Sequence, residues 1–157
     1  MSGMEVEDLT IVEGIEKIQE GLLFRGLSFD ETRMVARISE LVEKRDGDTI
    51  IEENAIGEGL YMIVSGAVRI LHEEKTLSEL GVGELFGEMA LIDDVLTSAR
   101  VVAVGDVRLL KIAKLDLDRL MKEEDRLATK IYRSFCMVLA DRLRKADSMM
   151  RGADDNG

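Results

Sequence analysis

The stretch 84-ELFGEMALIDDVLTSAR-100 decides how this sequence is read. Its first half, Phe86-Gly87-Glu88-Met89-Ala90-Leu91, is a glycine turn feeding a short helix with one carboxylate at its start. Such a turn is a cradle for a phosphorylated sugar, and a phosphate also calls for a cation. The residues that follow supply Asp93 and Asp94, and no base before Arg100.

The surroundings of this stretch have the period of strands. From Asp46-Gly47-Asp48 to about Ile112 the chain reads as short strands broken by glycine. These are Thr49–Ile51, Leu60–Val64, Ala67–Leu71, Thr76–Leu80, Ala99–Val104 and Val107–Ile112, with Gly66 as a sharp turn or bulge. Many short strands with regular turn signals predict a double-stranded β-helix, or jelly-roll, barrel. The fold class expected is mainly β with flanking helices.

Helical spacing returns on both sides. Ile11, Ile15, Ile18 and Leu22 form one stripe. Ser28 followed by Glu31 is a capping-box pattern that opens a helix carrying Met34, Val35, Ile38, Leu41 and Val42. Leu115–Met121 reads as a short helix and Asp125–Met150 as a long one with two apolar faces. Ile131, Phe135 and Val138 make one face. Tyr132, Cys136, Leu139, Leu143, Ala146 and Met150 make the other, at spacings 4-3-4-3-4. That alternation is a coiled-coil seam and predicts a homodimer. The expected organisation is a helical segment over 1–22, one domain over 23–147, and a flexible tail over 148–157.

Composition excludes several classes. A net charge of −11 repels a phosphate backbone, so DNA is not an expected partner. One cysteine, Cys136, leaves no internal disulfide; it reads as a small buried residue on a helix. One histidine, His72, expected at an exposed strand end, excludes a metal site built on two or three imidazoles. No apolar run approaches a membrane span, and the acidic N-terminus lacks the order of a signal peptide, so a cytoplasmic protein is expected.

Three anchors, 57-GEGLYMIVSGAVRI-70, 81-GVGELFGEMAL-91 and 99-ARVVAVGDVRLLKI-112, resemble the cyclic-nucleotide-binding domain family in order and spacing. With 23-LFRGLS-28 and 139-LADRLRKA-146, the sequence is similar to the bacterial catabolite-activator and fumarate-nitrate-regulator branch. The resemblance implies that amides near Gly87 face a cyclic phosphate, that Glu88 takes a ribose hydroxyl, and that Phe86, Gly87, Glu88, Met89, Ala90, Thr97 and Ser98 form the binding cassette. The family's arginine, which pairs with the phosphate, falls at Thr97. Its common preceding proline falls at Leu96, and Ser98 keeps a hydroxyl position.

Arg100 does not replace that arginine by parity. Strand side chains alternate, and Thr97 shares the inward parity of Ala99, Val101 and Ala103. The chain also ends before the helix-turn-helix that DNA-binding members of the branch carry. The resemblance and its departures therefore imply a sensory or regulatory module with a degenerate phosphate cassette. Cyclic AMP or cyclic GMP binding is weak or absent, and the C-terminal helices act on an unidentified protein partner. The alternative is a working cyclic AMP or cyclic GMP sensor whose cation comes from an unexpected position, such as Arg69. An enzyme is not expected, because a jelly-roll metalloenzyme usually needs a histidine cluster.

Overall fold

The computed structural model describes Glu16, Ile18, residues 21–91 and residues 96–155. Ile11, Ile15, Asp93 and Asp94 lie outside the described residues.

A 3-10 turn, Leu22–Phe24, precedes helix α1, Phe29–Arg37. The capping box is complete: the Glu31 amide donates to Ser28 Oγ at 3.2 Å and the Ser28 amide to Glu31 Oε1 at 2.8 Å. Helix α1 stops earlier than its spacing predicts. Leu41 and Val42, expected on its apolar stripe, belong to strand β1, Ser39–Lys44, and pair with Leu110 and Leu109. A 3–4 spacing of apolar residues runs unbroken across the junction, so only the long-range partner reveals the change.

Strands β2 (Thr49–Ile51), β3 (Gly59–His72), β4 (Lys75–Leu80), β5 (Leu85–Phe86) and β6 (Arg100–Ala113) complete a wholly antiparallel sheet. The path runs β1-β6-β3-β4, with β2 on β6 and β5 on β3. The architecture is a jelly roll with flanking helices, as expected. Two pairs of expected short strands are single long ones. Strand β3 continues through Gly66, whose φ is +89°, with register shifts between Ile63 and Ser65 and between Ser65 and Ala67. A Cβ there would lie 2.5 Å from the Asp106 carbonyl oxygen, so only glycine lets β3 bend against β6.

Alternation along β3 and β6 divides the core in two. Leu60, Met62, Leu110 and Ile112 face the helices, and join Leu23, Phe24, Val35, Leu117, Leu127, Ile131 and Phe135. Tyr61, Ile63, Val107 and Leu109 face inward, and join Val68, Phe86, Val101 and Ala103. The inward parity expected of Val101 and Ala103 is the one observed.

Helix α2, Lys114–Glu123, leads into helix α3, Asp125–Asp155. Helix α3 runs past Met150 and takes in residues 151–155, expected in the tail. Ile131 and Phe135 are buried and Leu139 packs partly against the same cluster. Lys130 also meets Glu31 of α1 at 2.5 Å. Of the expected seam, Tyr132, Cys136, Leu143, Ala146 and Met150 are exposed. Cys136 is therefore not the buried residue expected but an exposed thiol. Leu139 alone of the six is shared with the core, because it falls between the two stripes.

Candidate ligand pocket

Strand β5 pairs Phe86 with Tyr61 of β3, and their rings stack 5.1 Å apart at 6°. The chain then turns at Gly87, whose φ is +78°. A Cβ at Gly87 would lie 2.7 Å from the Gly59 carbonyl oxygen, so the turn requires glycine twice over. The expected short helix is a single 3-10 turn, Glu88–Leu91. Leu91 packs against the helix-side core, which seats the turn on the body of the domain.

Thr97 staples this region to the loop before β3. Its amide donates to the Ala55 carbonyl at 2.8 Å, and its carbonyl accepts from the Asn54 amide at 2.8 Å. Its hydroxyl accepts from the Ala55 amide at 3.0 Å and donates to the Glu52 carbonyl. The Thr97 side chain, expected at the family's arginine position, is thus committed to backbone and carries no charge.

Phe86, Gly87, Glu88, Met89, Ala90, Thr97 and Ser98 all line one cavity of about 680 Å³. That volume is in the range of small-molecule sites, about 300–1,000 Å³. Part of the lining is apolar. Ile70 of β3 pairs with Val101 of β6, and both line the cavity with Ile50 and Leu80. The cassette adds Glu88, and helix α3 adds Arg142. Glu52 and Glu58 line the rim as well.

Arg142, from helix α3, is the one cationic side chain among the described lining residues. It is ion-paired to Glu88, whose side chain is only 12% exposed. Sequence reasoning missed Arg142. The signal was present in the spacing: Phe135, Leu139 and Arg142 fall on one helical face, the face that meets the domain. Glu58 is met by Lys111 Nζ at 3.2 Å. Among the described residues no uncommitted cation lines the cavity.

The two arginines considered from sequence lie elsewhere. Arg69 pairs with Glu79 across β3 and β4 at 2.8 Å. Arg100 donates to Thr49 Oγ1 at 3.0 Å and stands 3.6 Å from Glu74. Neither lines the cavity. His72, at the exposed end of β3, meets Glu53 at 2.5 Å and the Ser98 carbonyl at 3.2 Å. The Glu53 carboxylate bonded to it holds its imidazole above the usual range. Among the described residues no group of three or more His, Cys, Asp or Glu side chains is placed to hold a metal ion. No helix among them is long and apolar enough to cross a membrane.

Comparison with known proteins fits this geometry. The family model described as the cyclic nucleotide-binding domain matches residues 41–124, more than half of the chain. The cyclic AMP receptor protein of Thermus thermophilus is 35% identical over 130 residues, which are 80% of this chain and 58% of that protein. This chain therefore spans little more than half of that relative's length. The N-terminal domain of a transcriptional regulator from Streptomyces coelicolor A3(2) superposes with a TM-score of 0.73 at 27% identity, over 84% of this chain and 95% of that one. A cyclic nucleotide-binding domain from Methylobacillus flagellatus gives a TM-score of 0.77 at 22% identity, over 90% and 83%, and shares the fold. By profile, by sequence identity and by architecture, the chain belongs to the cyclic nucleotide-binding domain family, a non-catalytic regulatory family, and is similar to its bacterial receptor-protein members.

Proposed function

We propose that this chain is a regulatory module whose cassette no longer holds a cyclic nucleotide strongly, and that it acts as a homodimer through protein contacts of its C-terminal helices. The observation that carries this reading is the cavity's charge. Among the described residues its lining holds three carboxylates, Glu52, Glu58 and Glu88, of which Glu58 is met by Lys111, and one arginine already paired to Glu88. A hydrogen bond to a charged group contributes about 1.5–3 kcal/mol, so an absent arginine costs roughly ten- to a hundredfold in affinity.

The helices are placed to report on the cassette. Helix α2 packs against the 3-10 turn Glu88–Leu91, and α3 holds Glu88 through Arg142. A ligand or partner that displaces the turn moves both helices together.

Thermal melting tests the weak-cassette reading. At about 1 mM ligand, a site with Kd near 1 µM adds about 4 kcal/mol of stability, and one with Kd above about 100 µM adds less than about 1.5 kcal/mol. Cyclic AMP and cyclic GMP are expected to give the smaller shift. The larger one contradicts the reading.

The dimer has its own test. Leu143 is 72% exposed on the seam face. Sedimentation is expected to find a dimer, and Leu143→Asp a monomer of unchanged helicity, because a charge at a seam position is left without solvent. A monomeric parent protein excludes the homodimer.

A second reading draws on Arg142. If the chain is a working cyclic AMP or cyclic GMP sensor with its cation supplied from outside the cassette, Arg142 is the residue in place to supply it. Arg142→Ala then lowers cyclic-nucleotide affinity by about ten- to a hundredfold. Under the first reading the weak affinity does not change.

A further inference from the structure

We infer that the cavity prefers an uncharged nucleoside to the corresponding cyclic monophosphate, the reverse of a phosphate-holding site. This inference rests on the weak-cassette reading above and names the ligand class of the same pocket.

The polar and apolar parts of the lining ask for different chemistry. At the cassette stands Glu88, nearly buried and paired with Arg142. A carboxylate has about four lone-pair sites, and one guanidinium occupies at most two. A neutral ligand with vicinal hydroxyls can donate to the remaining sites without disturbing the pair. Ser98, also in the lining, adds a hydroxyl. Ile50, Ile70, Leu80 and Val101 offer apolar walls that suit the faces of a flat heterocycle. Vicinal hydroxyls for the carboxylate and a flat heterocycle for the apolar walls describe a nucleoside.

A phosphate on the same ligand meets obstacles at each point. It must take Arg142 from Glu88, which strands a nearly buried carboxylate. It must approach the carboxylate of Glu52 in the lining. Thr97 offers it no charge and has its hydroxyl committed to the Glu52 carbonyl and the Ala55 amide. The cassette turn, four residues long, has little aligned dipole to offset these terms. A neutral ligand avoids all four.

Calorimetric titration with adenosine, guanosine, 2′-deoxyadenosine, cyclic AMP and cyclic GMP tests the inference. Adenosine or guanosine is expected to saturate the site at least about tenfold more tightly than its cyclic monophosphate, from the cost of taking one charged hydrogen bond away from Glu88. If adenosine is the ligand, 2′-deoxyadenosine is weaker by about tenfold or more, and Glu88→Gln weakens the preferred nucleoside similarly, with folding checked by melting. A cyclic monophosphate as tight as its nucleoside overturns the inference. If that affinity is micromolar, the weak-cassette reading falls with it. No saturation by either nucleoside up to about 1 mM, an affinity weaker than about −4 kcal/mol, overturns the nucleoside preference alone and leaves that reading standing.

Discussion

Phe135→Ala is expected to remove about 3–5 kcal/mol of stability, the usual cost of emptying a buried aromatic site. Phe135 is 2% exposed and packs in the helix-side cluster with Leu23, Phe24, Leu127 and Ile131. It is the last fully buried large side chain along α3; beyond it Leu139 packs only partly and Arg142 reaches Glu88. For a chain of this size each kcal/mol shifts the melting temperature by roughly 2–4 °C, so a fall on the order of 10 °C is expected. Met137, two residues on and 64% exposed, provides the control. Met137→Ala is expected to change stability by less than about 0.5 kcal/mol. A Phe135→Ala loss below about 1 kcal/mol contradicts the docking of α3, and with it the route from cassette to helix.

Thr97→Arg is expected to raise cyclic AMP or cyclic GMP affinity by roughly ten- to a hundredfold, since it supplies the one charged bond the cassette lacks. The change also removes the two side-chain hydrogen bonds of the staple between Thr97 and the loop at Glu52–Ala55, leaving its two backbone ones. A stability loss of about 1–3 kcal/mol should accompany the gain in affinity. Thr97→Val cuts the same bonds without adding charge. It should show the stability loss and no gain in affinity. If Thr97→Arg folds and still binds no better, the missing cation is not what limits the site.

Much of the fold was legible because it rests on local chemistry. Ser28 and Glu31 mark the start of α1 through their own side chains, and that bond pair is present. Period-two spacing marks β3 and β6, and parity along β6 correctly sends Val101 inward and Arg100 out to Thr49. Phe86 to Ala90, Thr97 and Ser98 meet in one cavity because the turn at Gly87 and the staple at Thr97 are both close to the residues that define them.

What was illegible depends on distant partners. Leu41 and Val42 keep helical spacing, and only their pairing with Leu110 and Leu109 makes them a strand. Gly66 reads as a sharp turn or bulge, and a register irregularity lies there; that β3 goes on through it as one strand follows only from its pairing with β6. Arg142 looks like any charged residue on a solvated helix. Its meeting with Glu88 follows only once Phe135 and Leu139 have set the rotation of α3 against the domain. Cys136 reads as a small buried residue on a helix as well as a seam position, and in the chain itself the helix turns it to solvent.

Direct calorimetric titration of the unmodified protein with cyclic AMP and, separately, cyclic GMP, at low and moderate salt, addresses the phosphate site most directly. The expected result is no saturable heat below about 100 µM ligand at either salt concentration, because among the described residues no uncommitted cation lines the cavity. Saturable binding with a Kd near 1 µM would contradict a degenerate cassette, and would make Arg142 the first residue to test as its cation.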